Sequence, residues 1–168
     1  MNDTARKPWH FEMTRYHWFV LAVAAAGWLF DCLDQQLFVL ARPAAMRELV
    51  KEPPESEKGK PKALEQAQSK AGNLATSAFL AGWAAGGLFF GMLGDRIGRA
   101  KTMLITILLY SLCTGLSALA KGVTDFCLYR FLTGLGVGGE FAVGVALVAE
   151  VMPASARPRC LSLLQAFS

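Results

Sequence analysis

The chain has 168 residues, of which 54% are hydrophobic and 18% are charged, and its formal net charge is +4. Its cations are scattered over polar segments, without a basic face interleaved with aromatic residues, which argues against a nucleic-acid-binding protein. The cysteines stand apart from one another without metal-ligand spacing, so we expect no metal site and no cofactor; they are Cys32, Cys113, Cys127 and Cys160.

The apolar residues are concentrated in four blocks, at residues 17 to 40, 74 to 93, 102 to 120 and 126 to 149. Each block is close to the roughly 20 residues with which a helix crosses a hydrocarbon core of about 30 Å. The pattern predicts an all-α integral membrane protein with four transmembrane helices. A further apolar run starts near residue 160 and predicts the start of a fifth helix. Because that run is too short to cross a bilayer, we expect the chain to be a fragment of a longer protein.

Residues 1 to 16 precede the first block and contain Arg6, Lys7 and Arg15. Signal peptides also place cations before an apolar run, but this run is longer than a typical signal core. We therefore predict an uncleaved first span. The motif resemblance described below, more than the count of cations, implies that residues 1 to 16 are in the cytoplasm.

The first span contains two acidic residues, Asp31 and Asp34, which are followed by Gln35 and Gln36. In a helix this spacing places both carboxylates on one side, within reach of each other and of a shared partner. Whichever glutamine faces a cavity can hydrogen-bond a polar solute. The alternative is that both glutamines lie at the interface with water.

Residues 41 to 72 form a polar segment that includes the run KEPPESEKGKPK. Pro53, Pro54 and Pro61 prevent a continuous helix and the mixed charges favour solvation, so we predict an extracytoplasmic loop. After Pro61 the sequence is rich in helix formers, and the second helix is expected to begin in water before it enters the membrane.

The second span contains glycines spaced four positions apart, which allow helix backbones to approach closely in lipid; they are Gly82, Gly86, Gly87 and Gly91. The connection that follows reads GMLGDRIGRAK. Its Gly98 permits a tight turn, and Asp95 can cap a helix or pair with Arg99. The alternative is a positively charged loop that only sets the topology.

The fourth span contains Arg130, Glu140 and a group of glycines, Gly134, Gly136, Gly138 and Gly139. Three of the glycines also satisfy the G-x-G-x-x-G dinucleotide fingerprint, but that motif requires a strand before it. Because both flanks here are helical in pattern, we do not expect a nucleotide-binding enzyme.

Charged groups inside a span cost about 2.5 to 3.5 kcal/mol each, so they need partners or a watery cavity. Counting the rise along the first and fourth helices brings Asp34 and Arg130 to similar depths. We hypothesise that Asp31 or Asp34 pairs with Arg130 and that protonation of the carboxylate breaks the pair. A static buried pair, or snorkelling of Asp34 and Arg130 to the surface, is the alternative. Glu140 can bind a proton or a substrate hydroxyl, or hydrogen-bond a neighbouring helix.

The second connection closely resembles the cytoplasmic loop signature of major facilitator superfamily transporters, through Gly91, Asp95, Arg96, Gly98, Arg99 and Lys101. Ala100 departs from the signature, since the family often has a second basic residue there. The glycines of the fourth span resemble the fourth helix of the same superfamily. After that span, Glu150, Pro153 and Arg157 form a pattern similar to that of sugar porters and organic-acid proton symporters.

The resemblance implies part of the N-terminal six-helix half of a twelve-helix transporter, at residues 17 to 168. Such proteins work by alternating access, with the second connection as a cytoplasmic latch between the two halves. It further implies proton symport of a sugar or carboxylate, in a multi-pass protein of the cell inner membrane with a cytoplasmic N-terminus. The expected partners are the substrate, protons, lipid and the missing C-terminal half. The rival interpretation is a small four-helix membrane assembly or sensor protein.

Overall fold

The computed structural model describes residues 9–53, 59 and 62–166. It contains a short 3-10 helix, Trp9–Glu12, and five α-helices: α1 (Arg15–Leu49), α2 (Ala63–Ile97), α3 (Arg99–Ser117), α4 (Val123–Val151) and α5 (Arg157–Gln165). The described residues form no strand. The prediction of an all-α chain with four long helices and a short fifth is therefore confirmed.

Helices α1 to α4 are each long and apolar enough to cross a membrane. Large apolar side chains point away from the bundle, and Leu40 and Leu88 are 77% and 73% exposed. A row of such side chains would be costly in water but is ordinary against lipid tails, where only helices and closed barrels can satisfy their backbone hydrogen bonds.

Helix α1 starts at a capping box. The Thr14 side chain accepts a hydrogen bond from the backbone N–H of His17, and the Thr14 N–H donates to Nδ1 of His17 at 3.1 Å. These bonds satisfy donors that the first turn of a helix leaves free, and they fix where the helix begins.

The structure corrects the extent of the predicted loop at residues 41 to 72. Helix α1 continues to Leu49 with Pro43 inside it, whereas α2 begins at Ala63, shortly after Pro61, where the run of helix formers predicts its start. Pro43 removes a single backbone donor, whereas Met46 on the extension is only 2% exposed and packs in a cluster with Ala71 and Phe126. Packing of this extension against α2 and α4 therefore outweighs the effect of the proline.

The other helices also differ from the predicted blocks by a few residues at their ends. Helix α3 ends at Ser117, three residues early, in a turn closed by a hydrogen bond from the Ala118 N–H to the Gly115 carbonyl. Helix α5 begins at Arg157 rather than near residue 160, because Pro158 in its first turn has a backbone angle suited to a helix start. Residues 1 to 8 of the predicted cytoplasmic segment, part of the proline-rich run, and residues 167 and 168 lie outside the described range.

Helices α2 and α3 are joined through one residue, Gly98, whose φ of 98° lies in the left-handed region that favours glycine. Its N–H donates to the Gly94 carbonyl at 3.1 Å and closes α2, while its own carbonyl accepts from the Thr102 N–H and opens α3. The tight turn predicted at this position is present.

Helix α4 lies between α2 and α3 and makes its most extensive contacts with α2. The two backbones approach so closely that a Cβ at Gly82 or Gly86 would overlap a carbonyl of α4, and one at Gly134 or Gly138 would overlap a carbonyl of α2. Small residues on both helices thus interlock. This close packing stabilises the helix pair in lipid, where the hydrophobic effect does not drive helices together.

We predict that Gly86→Ala destabilises the protein by about 1 to 3 kcal/mol, since its new methyl group would meet the Leu135 backbone rather than a flexible side chain. The neighbouring Gly87→Ala is a matched control, because there the nearest atom is the Gly138 carbonyl oxygen at an ordinary 3.6 Å. Thermal unfolding in detergent, followed by circular dichroism, measures both variants. Equal melting temperatures for the two variants would contradict the interlocking.

Candidate functional site

An ion pair between α1 and α4 lies inside the bundle. Nη1 of Arg130 is 3.8 Å from Oδ2 of Asp34, and the side chains are 3% and 16% exposed. Of the two acidic residues that the sequence offers as partners, the structure therefore places Asp34 beside the guanidinium. The low exposure of Arg130 means that the guanidinium does not reach the surface in this arrangement.

Two aromatic rings hold the Arg130 guanidinium in place. Its central carbon lies 3.7 Å from the centroid of the Phe38 ring and 5.0 Å from that of Phe79. Cation–π contacts of this kind contribute about 2 kcal/mol or more where the groups are removed from water. Within the part of the chain that the structure describes, Nε and Nη2 of Arg130 are buried without a hydrogen-bond partner.

A second acidic group lies deeper in the bundle, where Asp31 and Glu140 line one narrow cavity of about 10 Å³ together with Trp28. The two residues are 8% and 3% exposed. Oδ1 of Asp31 and both carboxylate oxygens of Glu140 are buried with no hydrogen-bond partner among the described residues. These oxygens are available to accept a proton, and the cavity is about the size of one water molecule.

Gly27 makes the position of Glu140 possible. A Cβ at Gly27 would overlap Oε1 of Glu140, so the carboxylate lies directly against the α1 backbone. Gly27 is one helical turn before Asp31. Any larger residue at position 27 would push the Glu140 carboxylate away from Asp31. Sequence reasoning missed this glycine, although its spacing of four from Asp31 could have indicated it.

Tyr110 on α3 lies beside the acidic group and lines a cavity together with Asp34. Gly136 provides the space, since a Cβ there would lie 2.7 Å from the Tyr110 Cβ. Gln35 is half-buried next to Asp34, whereas Gln36 is exposed.

An outer cavity of about 290 Å³ opens on the Asp34–Arg130 pair between α1, α3 and α4. It is lined by Asp34, Leu37, Phe38, Ala41, Arg42, Ala45, Thr114, Ser117, Ala118, Phe126 and Arg130. A neighbouring cavity of about 390 Å³ shares Asp34, Leu37 and Thr114 with it. The buried ion pair is therefore reachable from this end of the bundle by a small solute.

Arg42 is the charged residue of the outer cavity that sequence analysis did not identify. Asp34, Phe38 and Arg42 follow one another at a spacing of four and lie on one face of α1. The spacing alone could have identified Arg42, but the predicted span ended at residue 40 and left it in a loop.

At the other end of the bundle, Arg99 connects three segments. Its guanidinium donates to the Asp95 carboxylate, to Glu150 Oε1 at 3.0 Å and to the Gly91 carbonyl at 3.3 Å. The end of α2, the start of α3 and the end of α4 are thus held together. The sequence offered Asp95 as a partner of Arg99, but Glu150 belonged to a separate motif.

The remaining residues of these two motifs are not part of this network as the structure describes it. Arg96 and Lys101 are exposed. The Pro153 carbonyl accepts from the N–H groups of Ala156 and Arg157, both at 2.9 Å, and so forms the turn between α4 and α5. The Arg157 side chain is exposed at the first residue of α5.

The glycines of the fourth span serve packing. Gly134 and Gly138 face α2, Gly136 faces α3, and a Cβ at Gly139 would lie 2.5 Å from the Phe90 ring. The residues before and after this group are helical, so the strand of a dinucleotide-binding motif is absent at this position.

A family model described as "Sugar (and other) transporter" matches residues 22–168. A niacin transporter from Acinetobacter baylyi is 34% identical over 153 residues, which cover 91% of this chain and 31% of the relative. A benzoate transport protein from the same organism is 31% identical, over 84% of this chain and 28% of the relative. A low affinity inorganic phosphate transporter from Lotus japonicus is also 31% identical, over 88% of this chain and 27% of the relative.

The chain spans about a third of the length of the niacin transporter and of similar relatives. Its match to the family model nevertheless extends over nearly all of its residues. The matched range includes the buried pair of Asp34 and Arg130 and the network around Arg99. The chain therefore belongs to the sugar (and other) transporter family of the major facilitator superfamily, whose members are multi-pass membrane transporters rather than enzymes.

Proposed function

We propose that the protein to which this chain belongs is a proton-coupled symporter that moves a small polar organic solute by alternating access. The observation that carries the proposal is the buried pair of Asp34 and Arg130, which the outer cavity reaches. Protonation of Asp34 would remove the negative charge that faces the Arg130 guanidinium. This change in charge would occur at the place where a solute can bind.

The energetic argument follows from the burial of Arg130. While Asp34 is ionised, it offsets the cost of holding a guanidinium away from water. Once Asp34 is protonated, Arg130 is an uncompensated buried cation, and removing one partner of a buried pair costs about 3 to 5 kcal/mol. That energy is enough to favour a different arrangement of α1 and α4, or a bound solute that replaces the lost partner.

Asp31 and Glu140 provide further places for a proton. They share one cavity, and Asp31 lies one helical turn from Asp34 on the same side of α1. Carboxyl oxygens without other partners can hold a proton between them while Asp34 faces the outer cavity. In the proposed mechanism, protons pass along this row of carboxylates between the two ends of the bundle.

The Arg99 network is the proposed cytoplasmic latch. It joins the α2–α3 turn to the end of α4 while the cavity on the opposite end is open, as an outward-open state requires. In this orientation residues 94 to 101 and the N-terminus lie on the cytoplasmic side of the cell inner membrane. The segment between α1 and α2 lies on the opposite, extracytoplasmic side. Release of Arg99 would then accompany opening toward the cytoplasm.

The printed names of the relatives favour a small solute, since they include transporters of niacin, benzoate and inorganic phosphate. A sugar or a carboxylate is small enough for a cavity of this volume. The remainder of the protein is expected to supply the opposite wall of the substrate site, as the two halves of such transporters enclose the site between them.

We predict that Asp34→Asn abolishes accumulation of substrate driven by a pH gradient, because an amide cannot exchange a proton. Solute exchange without a gradient should persist. Uptake into proteoliposomes, prepared from the complete reading frame with and without a pH gradient, measures both activities. Asp125→Asn is the matched control, since that carboxylate is exposed in the first turn of α4. Unchanged gradient-driven accumulation in both Asp34→Asn and Asp31→Asn would contradict the proposed coupling.

We predict that Arg99→Gln and Glu150→Gln each change the initial rate of uptake, and that the double variant resembles the single ones. Residues of one network are non-additive, and a coupling of about 0.5 to 1 kcal/mol is expected for this partly exposed pair. Arg96→Gln removes an exposed charge from the same turn and should leave the rate unchanged. Additive effects of Arg99→Gln and Glu150→Gln would show that the contact between them does not control the cycle.

A further inference from the structure

We propose that the outer cavity binds a small organic carboxylate with an apolar body, which Arg130 holds by its free edge and Arg42 attracts as a second cation. The proposal rests on the transport function given above and names the class of substrate. It separates the two solutes, sugar and carboxylate, between which that function does not decide.

The free edge of Arg130 is the first observation. Nη1 faces Asp34, while Nε and Nη2, on the other side of the guanidinium, are buried without a partner in the described part of the chain. Nε and Nη2 together form a fork that matches the two oxygens of a carboxylate. Leaving two buried donors unpaired is costly, so a ligand gains that energy when Arg130 turns this edge, which has almost no accessible surface in the present arrangement, toward the cavity.

Arg42 is the second observation. It lies two helical turns beyond Asp34 on the same face of α1 and lines the same cavity as Arg130. Its Nη1 donates to the Thr76 hydroxyl at 3.3 Å, and its stem lies close to α2 at Gly72. The side chain is thus held by α2 over the mouth of the cavity.

The charges of the cavity favour an anion. Two guanidinium groups and one carboxylate line it, which leaves a net positive charge while Asp34 is ionised and a larger one when Asp34 is protonated. The other titratable groups near Asp34 are Asp31, Tyr110 and Glu140. Asp31 and Glu140 lie deeper, beside the narrow second cavity, whereas Tyr110 lines the neighbouring cavity together with Asp34. Glu65 lines a separate cavity with Arg42, so the outer cavity itself keeps two cations and one carboxylate.

The walls favour an apolar body on that anion. Leu37, Phe38 and Phe126 line the cavity, and the Phe38 and Phe126 rings stack with centroids 6.3 Å apart. A sugar needs hydrogen-bond partners around most of its ring, whereas here the hydroxyl groups are confined to Thr114 and Ser117. A flat acid can place its ring against the apolar wall and its carboxylate on Arg130.

The geometry also couples the anion to the proton. Protonation of Asp34 removes the anionic competitor for Arg130, so the substrate carboxylate takes over as its counter-ion. Each ligand therefore increases the affinity for the other, and the pair crosses the membrane without net charge.

The test measures uptake and ligand-induced thermal stabilisation of the protein expressed from its complete reading frame. The probes are nicotinate and benzoate, with nicotinamide as the neutral counterpart of nicotinate, xylose as a sugar, and inorganic phosphate as an anion without an apolar body. We expect the two acids to bind and the other three probes not to bind. Binding of xylose or phosphate in place of the acids, or of nicotinamide as well as nicotinate, would overturn the proposal, and so would no binding of either acid.

Arg42→Gln should raise the KM for the acids about fivefold to tenfold with little change in kcat, because it removes an attracting charge from the mouth of the cavity. Thr76→Val removes the hydrogen bond but keeps the cation, and should change KM less than twofold. Arg47→Gln, an exposed cation on the same extension of α1, is the control and should have no effect. Equal effects of Arg42→Gln and Thr76→Val would assign Arg42 a structural role and overturn its part in binding.

Arg130→Lys keeps a positive charge beside Asp34 but has no fork, and it should lower acid affinity more than tenfold. Wild-type affinity in this variant would overturn the role of the free edge. The results also separate this proposal from the transport function. Acid uptake that does not depend on a pH gradient would support the carboxylate site and contradict symport. Gradient-driven uptake of xylose alone would support symport and contradict the carboxylate site.

Discussion

The close approach of α4 to α2 and α3 is the constraint on which the other features of the bundle depend. Backbone carbonyls of each helix occupy space that a side chain would otherwise fill, so α4 is fixed in register against both neighbours. This register sets the depth at which Arg130 and Glu140 project toward α1. Placing charged side chains inside a membrane protein requires such rigid support, because a small shift would leave them facing lipid.

The helices and the charged residues inside them could be predicted from the sequence, because span-length apolar runs and rare intramembrane charges are local signals. The count of helix rise put Asp34 at the depth of Arg130, but it could not decide between Asp34 and Asp31, since the pairing also depends on the rotation of α1 about its own axis. The helical extension past Pro43 was missed because local propensity argued against it, while burial of Met46 by other helices decided it. Arg42 was missed with it.

The two ends of the bundle use charge differently. At the outer end the guanidinium of Arg130 is buried, partly unpaired and bounded by aromatic rings. At the other end Arg99 is satisfied by two carboxylates and a carbonyl, both carboxylates being largely exposed to solvent. An exposed network can break and reform at little cost, whereas a buried one changes only when its charge changes. In the proposed cycle, the buried pair therefore responds to a proton, whereas the exposed network breaks and reforms as the helices move.

Helix α1 packs far less extensively against α4 than α2 does, and contributes little to the contact with α3. Helices α2, α3 and α4 therefore form the more extensively packed part of the bundle, and α1 is attached to this part by fewer contacts. A tilt of α1 by a few degrees about its contacts near Val20 and Ala24 would pull Met46 away from Ala71 and stretch the hydrogen bond from Arg42 to α2. Because displacement grows with distance from the pivot, the same tilt would move Asp34 modestly and Arg42 most.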